Sequence, residues 1–367
     1  MKVLFITLEQ SAKQNLSVIL KNTYFIENKS SIYTYGMLEK KLPYKDLTNY
    51  KIKSIMGFVD VIKNLKYLFR LRKFIHFVIS KYLFTHVIFV DSFDFSRFYL
   101  NKFNDKSIKF CQLIGPSVFI WKKEKAKYIN KHFDHIFSIF DIERKLYLKH
   151  KYSYIGHPLF NNSINSNNTQ NNKIKNIGIF LGSRQQEIKK NIPIIQKLIV
   201  KLKSHYDLNY IFFITREFEH VIKNSFNDKK FTFHLNDINY YKNISKIDFA
   251  FACSGTVHLE LSLSKVPHFI FYKTNIINYL LFKILIRSKY ISLVNIFNKK
   301  LHIYEFTQHS FNEKNLLEEF DKLFSSSHNL NNYKKSMNNA LKKCNFNKFN
   351  EKPIIDYLKK SSLAIED

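Results

Sequence analysis

The chain has 367 residues, which at roughly 100–200 residues per domain predicts two domains. Lys and Arg number 59 against 29 Asp and Glu, a formal charge of +30, while 45% of residues are hydrophobic and 16% aromatic. That balance supplies a sizeable core and excludes a disordered chain, and 7 glycines with 6 prolines exclude collagen-like and Gly/Pro low-complexity classes. Cys111, Cys253 and Cys344 are widely spaced with no CxxC, so neither a disulfide framework nor a zinc knuckle fits. A reducing cytosol, with the cysteines as small apolar residues, is the plain reading.

A basic chain invites nucleic acid or an anionic membrane surface as partner. Only seven of the cations are arginine, and Asn, Ile, Phe and Tyr are abundant beside Lys. All these are coded by AT-rich codons, so codon bias is the simpler source of much of the charge. Under that bias each retained Gly or Arg is more informative, which directs attention to Gly57, Gly115, Gly156, Gly182, Gly255 and Arg184. No stretch approaches about 18 uninterrupted apolar residues, so no transmembrane helix is predicted. The start, MKVLFITLEQ, lacks a small-residue cleavage site and reads as a first strand, not a signal peptide. The expectation is a cytosolic protein whose membrane contact is peripheral.

In chain order, strands are predicted at Lys2–Thr7, His86–Val90, Ile108–Ile114, His135–Phe140 and Tyr152–Ile155, with helices such as Phe58–Lys81 and Arg144–His150 between them. The polar run 161–173, NNSINSNNTQNNK, reads as a linker. A second series follows: strand Ile177–Leu181, a helix carrying Ile188, Ile192, Ile195, Ile199 and Leu202, then strands Tyr210–Ile214 and Phe231–His234. Strand Phe249–Cys253, helix Val257–Ser264 and strand His268–Phe271 come next, and the chain is helical from Asn312. The fold class is therefore α/β, two Rossmann-like domains facing a cleft, with ligand expected at the strand carboxyl ends. The predicted division is residues 1–160, the linker, 174–330, and a helical tail 331–367 that packs back on the first domain or on a partner protomer.

Four constellations offer chemistry. Ser254-Gly255-Thr256 follows an apolar strand and opens a helix, a turn that offers backbone N–H groups to an anion, with Glu260 one turn inside as an acceptor for ribose hydroxyls. Alone, this reads more simply as a Ser/Thr helix cap. Gly182-Ser183-Arg184 precedes another helix, and a cation in a first helical turn points to an anion such as a diphosphate, against the plainer reading of a solvated surface Arg. Asp91 ends an apolar strand and could act as general base, while Asp94 reads as the next N-cap. Gly115-Pro116-Ser117 leads to Trp121, the single tryptophan, at a substrate pocket or a domain packing surface. Gly156-His157-Pro158 closes the first half. No GxxxxGK[ST], GxGxxG, HExxH or DxD occurs, so a P-loop, a standard dinucleotide site and a metal-dependent DxD transferase are disfavoured, and neither metal nor cofactor is expected.

Taken in order, LEQSA (8–12), SIMGFVDV (54–61), VDSFDF (90–95), GPSVFIW (115–121), YIGHPL (154–159), LGSRQQEI (181–188), CSGTVHLE (253–260), YISLVNIF (290–297) and YEFTQ (304–308) resemble lipid-A-disaccharide synthase, an inverting glycosyltransferase family of the GT-B fold. The resemblance spans about residues 3–345 and implies joining the 6-hydroxyl of 2,3-diacylglucosamine 1-phosphate to C1 of UDP-2,3-diacylglucosamine, with release of UDP. It implies Asp91 as base on the acceptor and Arg184 on the diphosphate. Ser183, Ser254, Gly255, Thr256 and Glu260 match the UDP-sugar site, with Asn295, Glu305 and Gln308 nearby. Glu9, Ser11, Ser117 and Trp121 fall on the acceptor side. The first loop departs from the family's usual GExSGD, reading LEQSAK, while Leu181 and Val294 replace usual prolines and Gly115 a usual serine.

The resemblance also implies a seat on the cytoplasmic face of the inner membrane of a Gram-negative cell and allows a homodimer that exchanges tails; no recognised nucleic-acid module is visible, so no nucleic-acid partner is expected. In 64–84, NLKYLFRLRKFIHFVISKYLF, Leu65, Leu68, Leu71, Phe74 and Ile75 form one helical stripe among cations. It reads either as a helix packed on its own domain or as an interfacial helix resting on anionic lipid, with Leu68, Leu71 and Ile75 toward the lipid. INYLLFKILIR (277–287) is a second such stretch. Two alternatives stay open: another UDP-sugar enzyme of the same fold, either an N-acetylglucosaminyl transferase or an epimerase, and a non-catalytic basic membrane-binding relative.

Overall fold

The computed structural model describes residues 1–38, 42–48, 52–53, 55, 58–101, 103, 107–116, 124–162, 174–236, 239–276, 279 and 288–366. Two compact units share them. The first takes Met1–Asn161 and the end of the chain from Phe346; the second takes the described residues between, through Asn345.

The first unit holds a seven-stranded sheet: β1 (Val3–Thr7), β2 (Ile32–Gly36), β3 (Lys45–Asp46), β4 (His86–Val90), β5 (Lys109–Leu113), β6 (His135–Ser138) and β7 (Tyr152–Tyr154). Their order is β3-β2-β1-β4-β5-β6-β7, every pairing parallel. The second unit repeats the plan with β8 (Asn176–Phe180), β9 (Asn209–Ile214), β10 (Phe231–Leu235), β11 (Phe249–Cys253), β12 (His268–Tyr272) and β13 (Glu305–Thr307), ordered β10-β9-β8-β11-β12-β13. Runs such as VLFIT, HVIFV and FAFAC are buried throughout, as strands covered on both faces require. The strand order reverses between β1 and β4, and again between β8 and β11. Those two switch points are where a doubly wound sheet opens a crevice.

The predicted strands are present within a residue or two at each end. Sequence reading missed β2, β3 and β13. The segment read as helix Arg144–His150 is two short 3-10 stretches, Asp141–Leu146 and Lys149–Lys151. Residues 163–173 of the Asn-rich run, and all of 277–287 except Tyr279, lie outside the described residues.

The helix Leu65–Tyr82 corrects one expectation. Leu71 and Ile75, placed on a lipid-facing stripe, are 3% and 0% exposed and pack with Val78 and Ile79 into the first unit's core. The opposite face carries Leu65, Phe69 and Phe77, at 43%, 44% and 56% exposed.

The tail changes unit at Phe346, not at 331. Leu330, Tyr333, Met337 and Ala340 of helix Ser327–Lys343 are buried in the second unit, where the Tyr333 hydroxyl donates to the His268 carbonyl at 2.6 Å. The returning chain crosses Gly156, whose φ of +70° and lack of a side chain are both needed: a Cβ there would lie 2.1 Å from the Lys348 carbonyl oxygen. His157 N–H donates to Asn347 O at 3.1 Å, and Asn350 N–H to Ile155 O at 2.7 Å. The YIGHPL motif is thus the seat of the returning tail. Helix Lys352–Glu366 follows, with Tyr357 4.4 Å from the His135 ring and the Ser361 hydroxyl 2.7 Å from His86 Nε2. All three cysteines are buried free thiols.

Candidate active site

At the first switch point, β1 runs into Glu9, the residue capping helix Gln10–Leu20, and β4 runs into Asp91. Asp91 and Ser92 both hold left-handed backbone, with φ of 58° and 47°, before helix Phe93–Leu100 begins. Two consecutive non-glycine residues in this region cost of order 1–3 kcal/mol each and mark a place where surrounding structure fixes the chain. The Ser92 hydroxyl donates to Glu9 Oε1 at 3.2 Å, and Ser92 N–H donates to Asp91 Oδ1 at 3.0 Å. Glu9 and the Asp91 turn therefore meet, as the strand ends predict. Asp94 is not the N-cap; Ser92 occupies that position, and exposed Asp94 pairs with Lys125 at 3.1 Å. Ser11 lies in the first turn of its helix, while Ser117 and Trp121 fall outside the described residues.

At the second switch point, β8 leads into Gly182, with φ of +107°. That φ favours glycine, and a Cβ there would also crowd Glu187 Cβ at 3.0 Å and Cys253 Sγ at 3.2 Å. Glu187, nine-tenths buried, gathers the loop: Ser183 N–H donates to its Oε2 at 3.1 Å and the Arg184 guanidinium to its Oε1 at 2.6 Å. Arg184 caps helix Gln185–His205 rather than sitting inside its first turn. The anion beside it is in part the protein's own.

After β11, Ser254 N–H donates to Phe271 O at 2.8 Å, tying the loop to β12. Gly255 and Thr256 are exposed, and a Cβ on Gly255 would meet nothing within 4 Å. Thr256 stands at the N-cap of helix Val257–Leu263 but its hydroxyl makes no capping bond, so the simple cap reading fails. The loop is held from below by buried His258. Since a carbonyl can only accept, His258 Nδ1 carries the proton and donates to Gly255 O, and Nε2 accepts from Leu293 N–H at 3.2 Å. Burial pushes the His258 imidazole down to about 4, which keeps it neutral in this role. Glu260 is buried and its Oε2 is taken by the Tyr240 hydroxyl. Its burial raises the carboxyl above the usual value, the tyrosine bond acting against it.

Asn295 and Glu305 prove to be loop holders. Glu305 accepts from Ile291 N–H and Ser292 N–H at 2.8 Å each and from the Asn295 amide at 2.7 Å. Asn295 Oδ1 accepts from His302 and Ile303 N–H groups at 2.8 and 3.0 Å. Burial raises the Glu305 carboxyl, and those bonds pull it back. Gln308, just past β13, is different. It sits at φ 50°, is 8% exposed, and its buried Nε2 has no partner among the described residues. Its positive φ and unbonded buried amide set it apart from Asn295 and Glu305, whose polar groups are bonded within their own loop. Glu187, His258 and Tyr240 escaped the sequence reading, although the first two lie inside motifs that were singled out; their signal was only proximity to a glycine turn.

The lipid-A-disaccharide synthetase family model matches residues 3–356. Lipid-A-disaccharide synthase of Aquifex aeolicus (strain VF5) is 33% identical over 223 residues, covering 58% of this chain and 60% of its own. The synthase of Campylobacter jejuni (strain RM1221) is 31% identical over 286 residues, covering 73% and 75%. Among solved structures, the UDP complex of MnaA from S. aureus matches with a TM-score of 0.61 at 11% identity, over 100% of this chain and 98% of that one. MurG of Acinetobacter baumannii matches at 0.54 and 10%, over 98% and 99%. At these identities the structures speak for the fold alone, two parallel-sheet α/β units of the GT-B type. With the family model matching nearly end to end and motifs seated at both switch points, the chain belongs to the lipid-A-disaccharide synthetase family.

Proposed function

We propose that this enzyme condenses UDP-2,3-diacylglucosamine with 2,3-diacylglucosamine 1-phosphate, giving the lipid A disaccharide 1-phosphate and UDP. Family membership carries the reaction class, glycosyl transfer in lipid A synthesis. The acceptor's 6-hydroxyl oxygen attacks the anomeric carbon as Asp91 takes its proton. The bond from C1 to the diphosphate breaks, its electron pair leaves with UDP, and the configuration inverts. Arg184, with the Gly255 and Thr256 N–H groups of the exposed turn after β11, balances the charge that develops on the leaving diphosphate. Gln308 offers its unsatisfied amide to the same donor.

The observation that most supports this reading is the placing of Asp91 and Glu9 at one switch point and of Arg184 and Ser254 at the other. The alternatives, another UDP-sugar enzyme of the same fold or a non-catalytic basic relative, are disfavoured by family membership. Binding is tested by heat denaturation: UDP at 100 times its Kd should stabilise the fold by about 2.7 kcal/mol, and an oligonucleotide should not. Stabilisation by oligonucleotide but not by UDP would contradict the reading.

Among the described residues no helix is long and apolar enough to cross a membrane. For acylated substrates we assign peripheral contact to the outer face of helix Leu65–Tyr82. Leu65, Phe69 and Phe77 are exposed there beside Lys66, Arg70 and Lys73, an apolar and basic combination suited to an anionic surface.

A further inference from the structure

We propose that Gln112 is a positioning residue for the candidate base, its amide clamping the backbone of Asp91 and Ile114 at the tips of adjacent strands. The proposal rests on the reading of Asp91 as the base. Gln112 is the one polar residue facing inward near the end of the apolar strand KFCQL and is 0% exposed. A buried amide is costly unless all its groups are bonded. Its Nε2 donates to Asp91 O at 2.8 Å and to Ile114 O at 3.2 Å, and its Oε1 lies 2.9 Å from the Ser96 hydroxyl, whose one proton it shares with Phe93 O at 2.9 Å. Carbonyl oxygens only accept, so the amide can face them in one orientation only.

Both clamped residues have left-handed backbone, Asp91 at φ 58° and Ile114 at φ 59°. For a β-branched residue such as Ile114 this conformation is a genuine outlier, and it needs a partner that holds it. The ladder also binds the two tips, Asp91 N–H donating to Leu113 O and Ile114 N–H to Phe137 O, each at 2.8 Å. Those bonds fix where the strands end. The carbonyls beyond them, which set how Asp91 and the following loop turn, are fixed by Gln112. Ser96, on the helix that Asp91 and Ser92 introduce, orients the amide in turn, closing a ring from turn to helix to strand and back.

The test is a double-mutant cycle on the purified full chain. Gln112→Met keeps length and volume but has neither donor nor strong acceptor. It should lower kcat by about 100-fold, the usual effect of a misplacement near 1 Å, with KM for the UDP-sugar and UDP affinity unchanged. Combined with Asp91→Asn it should cost no more residual turnover than Asp91→Asn alone, since both act through one group. Ser96→Ala, a milder change, should show the same pattern at several-fold if Gln112→Met fails to fold. Parental kcat in Gln112→Met or in Ser96→Ala, or losses that multiply fully with that of Asp91→Asn, would overturn the clamp. Parental turnover in Asp91→Asn itself would instead overturn the base reading.

Discussion

Arg184 donates to Glu187 Oε1 at 2.6 Å while Glu187 Oε2 holds the backbone N–H of Ser183 at 3.1 Å, so one buried carboxylate sets both the loop and its cation. Arg184→Ala should weaken UDP binding and slow turnover. Arg184→Lys should not restore either, because Lys lacks the planar fork that spans two oxygens. Glu187→Ala should weaken UDP binding to a similar degree, since the loop loses its acceptor. Titration calorimetry with UDP checks all three; parental affinity in Glu187→Ala would show that Arg184 needs no positioning.

Asp91→Asn should leave UDP affinity within a few-fold and cut turnover by about 10²–10⁴-fold, the range for a general base. A variant that keeps more than roughly a tenth of the parent rate, outside that range, removes Asp91 from the role.

The two faces of helix Leu65–Tyr82 should separate in one experiment. Changing Leu65, Phe69 and Phe77 together to Ser should abolish sedimentation with anionic vesicles while the melting temperature holds. Leu71→Ala or Ile75→Ala should each cost about 2–5 kcal/mol of stability, as removal of a buried aliphatic chain does. Vesicle binding unaffected by the triple change would place membrane contact elsewhere.

Acid should unfold the protein earlier than its charge suggests. Burial pushes His86, His135 and His258 down to about 4 and His268 to about 3, from an ordinary 6.5. The folded state therefore binds fewer protons than the unfolded chain between those values. Stability is intact above about 6.5 and is lost as pH falls toward 4, by up to about 1.4 kcal/mol per pH unit for each histidine. Glu260 and Glu305, raised by burial, oppose the trend. Melting temperatures from pH 7 to 4.5 should fall steeply, and His86→Gln should flatten the slope; a flat profile in the parent would contradict this.

Much of the frame was legible because parallel strands buried on both faces read as unbroken apolar runs, as in FAFAC and HVIFV. β2, IYTYG, was not, since its Tyr and Thr hydroxyls disguise residues that are buried all the same. The helix at 65–82 showed that periodicity reveals stripes but not which one turns inward: Leu71 and Ile75 went to the core and Phe69 and Phe77 outside. Asp91, Arg184 and Ser254 were singled out because each lies in the loop just past an apolar strand. That Asn295 and Glu305 hold their own loop was not legible, since their partners are backbone N–H groups that no spacing rule announces. Gln112 was invisible for the same reason.

The central claim is the reaction itself. Mass spectrometry of UDP-2,3-diacylglucosamine incubated with 2,3-diacylglucosamine 1-phosphate and the purified protein tests it most directly. The account predicts a tetraacylated disaccharide carrying one phosphate, with one UDP released per disaccharide formed. Intact acceptor beside a donor that is hydrolysed or epimerised at C2 would contradict it.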